Sequence, residues 1–270
     1  MKYKMIVSDL DETLLNSDRE LTPNTKSAIK RYTQKGGKFV IATGRMTPSA
    51  LLYCYELGLK GEVITYQGAA TVDIMSGEVL DIAKIASQEA VEIGRYLEKR
   101  GLYYHIYNED KFIVNRSTPQ SLRYARLSKV DFLETGEELS KYILNNGISP
   151  VKIMVITDED LVMPLIREFN QEFEGRFLFN TSKKWMVEIV PIVSNKGVAV
   201  KNLAKKYGIK REEVICIGDS LNDLAMIEYA GLGVVVENGS KEAKQAADII
   251  APSNDDEGVA YIIDKYGFLE

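Results

Sequence analysis

The sequence predicts an α/β protein: a buried parallel sheet built from βαβ units and interrupted by an inserted α+β domain. Three observations carry this. At both ends of the chain, short apolar runs closed at once by turn residues alternate with amphipathic stretches of helix length. Between about Lys84 and Val190 the texture changes to strands of period-two alternation with longer stretches between them. A length of 270 residues with 45% hydrophobic side chains allows one large domain or two modest ones. The expected division is 1–83 with 191–270 for the parallel-sheet part and 84–190 for the insertion.

Taken in order, Met5 to Ser8 forms the first strand. Thr22 caps a helix with Pro23 at its first position, Ile29 and Tyr32 turned inward and Gly36 ending it. Phe39 to Ala42 and Val63 to Tyr66 give two more strands, and Thr71 to Ile74 pairs with Glu78 to Ile82 through Ser76-Gly77. In the insertion, Tyr103 to Tyr107 and Phe112 to Asn115 form a hairpin around Asn108-Glu109-Asp110. Val151 to Ile156, Arg176 to Asn180 and Trp185 to Val190 are further strands, with helices at about Gln88 to Arg100, Thr118 to Ser128 and Glu159 to Glu172 on one face. The alternation resumes with a helix from Lys196 to Tyr207 and strands at Val214 to Ile217, Gly233 to Val236 and Asp248 to Ile250.

A net charge of −5 gives no basic field for nucleic acid or anionic lipid. No apolar run reaches the ~18–20 residues of a membrane span, and Asp9 interrupts any signal-peptide core, so a cytoplasmic protein is expected. Cys54 and Cys216 lie in apolar stretches and read as buried free thiols.

The chemistry begins with Asp9-Leu10-Asp11-Glu12-Thr13-Leu14, directly after the first strand, where open α/β sheets place their ligands. In an extended segment residues i and i+2 point the same way, so Asp9 and Asp11 would repel unless a cation or a proton holds them. Mg²⁺, which takes oxygen ligands and keeps several waters, is the economical cation. Taken alone, the run is equally well a polar turn. A second acidic run, Gly218-Asp219-Ser220-Leu221-Asn222-Asp223, also follows an apolar strand and opens a helix. Asp219 and Asp223 can approach one metal and Asn222 adds a neutral donor, although helix capping by Ser220 accounts for part of the pattern. Lys196 follows Asn195 at a helix start, where a cation is disfavoured by ~0.3–1 kcal/mol. A phosphate there would repay it. Thr43-Gly44-Arg45 after the second strand adds a hydroxyl, an open backbone and a guanidinium; Arg45 reads equally as a structural ion-pair partner.

With these residues in view the chain resembles the haloacid dehalogenase superfamily, and within it the Cof-like branch of cytosolic sugar-phosphate phosphatases. The resemblance runs the full length through Asp9-Leu10-Asp11-Glu12-Thr13, Ala42-Thr43-Gly44-Arg45, Asn195-Lys196-Gly197, Gly218 to Asp223 and the late Asn254-Asp255-Asp256-Glu257-Gly258-Val259. It implies a doubly wound Rossmann-like core with an α/β cap inserted between the second and third motifs. It also implies hydrolysis of small phosphomonoesters, with no nucleic-acid or membrane partner. Asp9 would be the nucleophile of an aspartyl-phosphate mechanism. Mg²⁺ would be held by Asp9, the backbone carbonyl of Asp11 and Asp219, with Asp223 supporting through water. Asp11 would serve as acid and then base, while Lys196 and Thr43 hold the phosphoryl group with help from Gly44 and Asn222.

Specificity would come from the cap, with His105, Trp185 and Glu188 as candidates and Arg45 beside them. Each has a plainer reading: His105 as a sheet residue, Trp185 as an apolar anchor, Glu188 as part of a solvated face. Two departures from the family pattern stand out, Glu12 where glycine is usual and Gln67-Gly68-Ala69 where Asn-Gly-Ala is commoner. A sugar phosphomutase of the same superfamily and a receiver-like phosphoacceptor are the alternatives. Net phosphate release separates the first from a phosphatase; turnover separates the second.

Overall fold

The computed structural model describes every residue except 109, 182 and 270; the hairpin turn expected around Asn108-Glu109-Asp110 thus includes one residue, Glu109, outside the described residues. The chain forms two compact units, one of residues 1–44, 50–80 and 195–270, the other of residues 45–49 and 81–194.

In the first unit, β1 (Met5–Ser8) leads to α1 (Pro23–Gln34), whose cap Thr22 accepts the amide of Thr25. Then follow β2 (Lys38–Ile41), α2 (Thr47–Glu56), β3 (Glu62–Thr65), β4 (Ala70–Asp73) and β5 (Val79–Ile82). β3 is joined to the parallel sheet by an Ala42–Ile64 bridge and pairs antiparallel with β4. The reason is local: Tyr66 and Gln67 both take positive φ, 52° and 60°, and turn the chain back on itself.

The second unit holds α3 (Ser87–Lys99), β6 (Tyr104–Asn108), β7 (Lys111–Val114), α4 (Pro119–Ser128), β8 (Phe132–Glu134) and α5 (Leu139–Asn146). It continues with β9 (Lys152–Ile156), α6 (Glu159–Glu172), β10 (Phe177–Asn180) and β11 (Met186–Pro191). Its six strands run in the order β10-β11-β9-β6-β7-β8. α3, α5 and α6 bury Ile93, Leu97, Ile143, Val162 and Phe169 against Ile106, Ile153, Val155 and Val187. α4 departs from the expected one-sided arrangement, since its Tyr124 meets His105 and Phe112, and His105 alternates with the core-facing Tyr104 and Ile106.

The chain then completes the first unit with α7 (Lys196–Lys206), β12 (Val214–Gly218), α8 (Leu224–Tyr229), β13 (Leu232–Val236), α9 (Lys241–Ala246), β14 (Ile249–Ala251) and α10 (Gly258–Tyr266). The central sheet, β14-β13-β12-β1-β2, is parallel throughout. From the middle of the sheet β1 steps one way to β2 and β12 the other way to β13. Right-handed crossovers in opposite directions put α1 and α8 on opposite faces, which is the doubly wound arrangement. Met5, Val7, Val40 and Cys216 pack against Ala199, Val200, Leu203 and Met226 on one face. The point where the strand order reverses, between β1 and β12, opens a crevice at their carboxyl ends. Among the described residues no helix is long and apolar enough to cross a membrane.

Candidate functional site

Asp9 is the first residue past β1 and donates its backbone N–H to Ile217 of β12 (2.9 Å), so its position is set by the two strands at the switch point. Asp219 and Asp223 follow β12. Asp223 Oδ2 accepts the amides of Asp219 and Ser220, both at 3.1 Å, and ties the loop to itself. Gly218 permits this, since a Cβ there would lie 2.5 Å from that of Asp223. Carboxylate oxygens of Asp9, Asp219 and Asp223 all lie within 4.8 Å of one another.

Lys196 is fully buried and lies among them. Its Nζ donates to Asp9 Oδ1 at 2.5 Å and to Asp223 Oδ1 at 2.7 Å. The cation at a helix start, which the sequence left unpaired, is thus answered by two carboxylates of the chain itself, while Asn195 caps the helix by accepting Val198 N–H. Burial pushes the Asp9 carboxyl up to about 7, with Lys196 opposing the shift and Asp223 and Asp11 adding to it. Asp219 is raised well above the carboxylate range by burial and then by Asp223 and Asp9. Burial works against the Lys196 ammonium, yet Asp223 and Asp9 outweigh it and hold its pKa above the ordinary lysine value. Three carboxylates crowded out of water are costly while ionised and become good oxygen donors once a hard cation joins them, so the set fits Mg²⁺.

β1 ends at Ser8, and Asp11, half-buried, belongs to the turn that follows, from where its charge adds to the upward shift of Asp9. The same turn accounts for Glu12: its φ of 63° is a conformation glycine adopts freely, and here the Asn238 side chain secures it by donating to the Glu12 carbonyl at 2.7 Å. Asn254 continues the brace, donating its amide N–H to Asn238 Oδ1 (3.0 Å) and its side chain to the Leu15 carbonyl (2.9 Å). Thr13 donates to Asp219 Oδ1 at 3.0 Å, joining the first acidic loop to the second. Asn238 carried no signal of its own in the sequence, and Asn254 carried one only as part of a motif.

Thr43 and Gly44 follow β2, and Asn222 lies in the loop after β12 between Asp219 and Asp223. Thr43 is buried and donates its backbone N–H to Ile64. A Cβ on Gly44 would meet the end of the Gln67 side chain, with Nε2 at 2.3 Å. Asn222 donates its side chain to Gln67 Oε1 at 2.9 Å.

The specificity candidates are all in the second unit. Arg45 donates to Ser49 Oγ at 3.3 Å. Trp185, just before β11, lies 4.7 Å from the Arg123 guanidinium and is half-buried. Glu188 is buried rather than on a solvated face, paired with Lys152 at 3.4 Å. His105 has no exposed surface; its ring sits among Tyr103, Tyr107, Phe112 and Tyr124, and burial lowers its pKa well below the usual value. That enclosure corrects its candidacy for substrate contact and leaves it a sheet residue.

The sequence matches the haloacid dehalogenase-like hydrolase family over residues 6–263. It is 34% identical to M6_Spy0533 of Streptococcus pyogenes over 98% of this chain and 99% of that protein. A 5-amino-6-(5-phospho-D-ribitylamino)uracil phosphatase of Bacillus subtilis, YwtE, is 29% identical over 97% of each chain. Among solved structures, a haloacid dehalogenase-like hydrolase from Bacteroides thetaiotaomicron superposes with a TM-score of 0.87 at 29% identity, covering 98% of this chain and 99% of the other.

Proposed function

The chain belongs to the haloacid dehalogenase-like hydrolases and is a phosphoric monoester hydrolase; from this premise we propose that it cleaves small phosphomonoesters, sugar phosphates among them, through an aspartyl-phosphate on Asp9. The observation that carries the proposal is the buried Asp9–Lys196–Asp223 arrangement with Asp219 beside it, at the crevice of the doubly wound sheet.

Asp9 offers one carboxylate oxygen to phosphorus, and the bond from phosphorus to the ester oxygen breaks as the new one forms. Asp11 gives its proton to the departing alkoxide. It then takes a proton from the water that attacks phosphorus and returns Asp9 to a free carboxylate, so the same group acts as acid and base. Lys196, already ionised by its two carboxylate neighbours, supplies positive charge to the phosphoryl oxygens, with Thr43, the Gly44 backbone and Asn222 as further donors. Mg²⁺ held by Asp9, the Asp11 carbonyl and Asp219, with Asp223 behind them, would neutralise charge on the transferring group. The second unit, with the half-buried Trp185, is where substrate choice beyond the phosphate is expected.

The test is phosphate release from p-nitrophenyl phosphate and a panel of sugar and ribityl phosphates, with Mg²⁺, with chelator, and with Asp9→Asn. Release that requires both metal and Asp9 is the expected result. A stable phosphoprotein formed from acetyl phosphate without release would overturn it in favour of a mutase or a phosphoacceptor.

A further inference from the structure

The three-residue turn Tyr66–Gly68 meets three segments of the proposed site: Thr43-Gly44, Asn222 and the start of α7. Gln67 is almost fully buried. Its backbone N–H donates to the Thr43 carbonyl at 3.1 Å. Its side-chain Oε1 accepts the Asn222 amide at 2.9 Å, and its Nε2 occupies the space beside Gly44 where any larger residue would carry a Cβ. The next residue completes the set. Gly68, at φ 91°, lies so close to the start of α7 that a Cβ on it would fall 2.4 Å from the Asn195 carbonyl group and 2.8 Å from the Lys196 nitrogen.

The turn is also strained. Tyr66 and Gln67 hold two successive positive φ angles without being glycine, and such conformations cost of order 1–3 kcal/mol each. A surface turn would relieve that cost by substitution. Here the surrounding segments fix it, and what they gain is a defined orientation for the Asn222 amide and the Thr43-Gly44 backbone. Asn222 is held at both ends, its Oδ1 accepting the Ser220 hydroxyl at 2.5 Å and its Nδ2 donating to Gln67, so loss of the Gln67 acceptor removes one of the two contacts that orient its amide.

We infer that Gln67 is a positioning residue: it fixes the Asn222 amide and the Thr43-Gly44 loop as donors toward a phosphate, and so sets the affinity of the site for the phosphoryl group. The inference rests on the phosphatase reading above. It also gives a role to the residue that departs from the commoner asparagine, since the longer side chain spans from its own turn to Asn222 while Gly44 leaves it room.

The experiment is steady-state hydrolysis of p-nitrophenyl phosphate with inorganic phosphate as competitive inhibitor, for wild type, Gln67→Ala, Asn222→Ala and the double variant. Gln67→Gly stands in for the alanine variant should that fail to fold, because glycine favours the positive φ. Gln67→Ala is expected to raise both KM and the phosphate inhibition constant about fivefold to tenfold while kcat changes less than threefold. The double variant is expected to be no worse than the poorer single, because residues acting through one contact are not additive. Gly44→Ala should then impair the wild type more than it impairs the Gln67→Ala background, where the clash is gone. Unchanged KM and phosphate inhibition in the Gln67 variants, or strict additivity with Asn222→Ala, would overturn the inference while leaving the phosphatase reading intact. A wild type that releases no phosphate would overturn the phosphatase reading itself.

Discussion

Replacing Lys196 by methionine keeps nearly the volume of the side chain and removes its charge. In the native core the ammonium is fully enclosed and shared between Asp9 Oδ1 at 2.5 Å and Asp223 Oδ1 at 2.7 Å, both carboxylates being nearly or wholly buried. The methionine variant leaves these anions with no cation in the same volume. Breaking a buried pair by removing one partner costs about 3–5 kcal/mol. For a protein of this size each kcal/mol moves the midpoint by about 2–4 °C, so a loss of roughly 6–20 °C is expected at pH 7.5 in chelator. The sign with pH follows from linkage. Asp9 is raised to about 7 even with Lys196 present, and without that cation its buried carboxyl holds a proton more tightly still. Between the unfolded value near ~4 and the raised folded value the native state holds more protons, so stability falls as pH rises. The deficit of the variant therefore grows with pH until it is full above the raised folded value, and shrinks as pH falls toward 4. Far-UV circular dichroism follows the whole chain. The single tryptophan, Trp185, lies in the antiparallel unit and serves as an internal control whose fluorescence transition should move less. A variant melting within 2 °C of wild type at pH 7.5 in chelator, or a deficit that grows toward acid, would refute the reasoning.

Asp11→Asn should allow at most a slow first half-reaction, visible as a burst of p-nitrophenol followed by turnover reduced at least a hundredfold; near-normal hydrolysis would remove Asp11 from its role. Mg²⁺ at about a hundred times its dissociation constant should stabilise the protein by about 2.7 kcal/mol, read as a rise in the melting midpoint, and the effect should vanish in Asp219→Ala. Asn254→Ala removes the donor to the Leu15 carbonyl and unsettles the Asp11-Glu12 turn; kcat is expected to fall about tenfold with the pH profile shifted, and an unchanged profile would reduce the brace to a stability device. Lys152→Met leaves Glu188 buried without its cation and should lower the Trp185 fluorescence transition by an amount equivalent to about 3–5 kcal/mol, with the far-UV signal of the parallel-sheet unit following separately.

Much of this was readable from local signals. The apolar run Met5–Ser8, the Thr22-Pro23 cap and the Asn195 cap each announce an element by the chemistry of a few adjacent residues, and all three elements form there. The acidic runs were visible for the same reason. What stayed hidden depends on distance along the chain or on shortness. α2 carries apolar residues around its whole circumference and so shows no stripe, β8 is three residues of exposed edge, and α5 is two turns. The partners of Glu12 and Leu15, at positions 238 and 254, lie more than 200 residues away in sequence and follow no local pattern. Gln67 stood out only as an exception to a family habit. Its contacts with Gly44 and Asn222 needed the fold to bring three separate loops together.

The central place of β1 has a consequence for how the molecule is made. Its two neighbours are β2, available almost at once, and β12, whose first residue is Val214. Thr13 meets Asp219 across a separation of 206 residues. At ~5–20 residues per second a ribosome needs roughly 10–40 s to supply the second partner. Throughout that interval one edge of β1 presents unpaired backbone and the apolar side chains of Met5 and Val7. Most of the antiparallel unit, by contrast, is one continuous stretch that can fold as soon as it emerges. Nascent chains should therefore carry a finished second unit beside an open β1 edge, the species on which a chaperone or an aggregating neighbour would act.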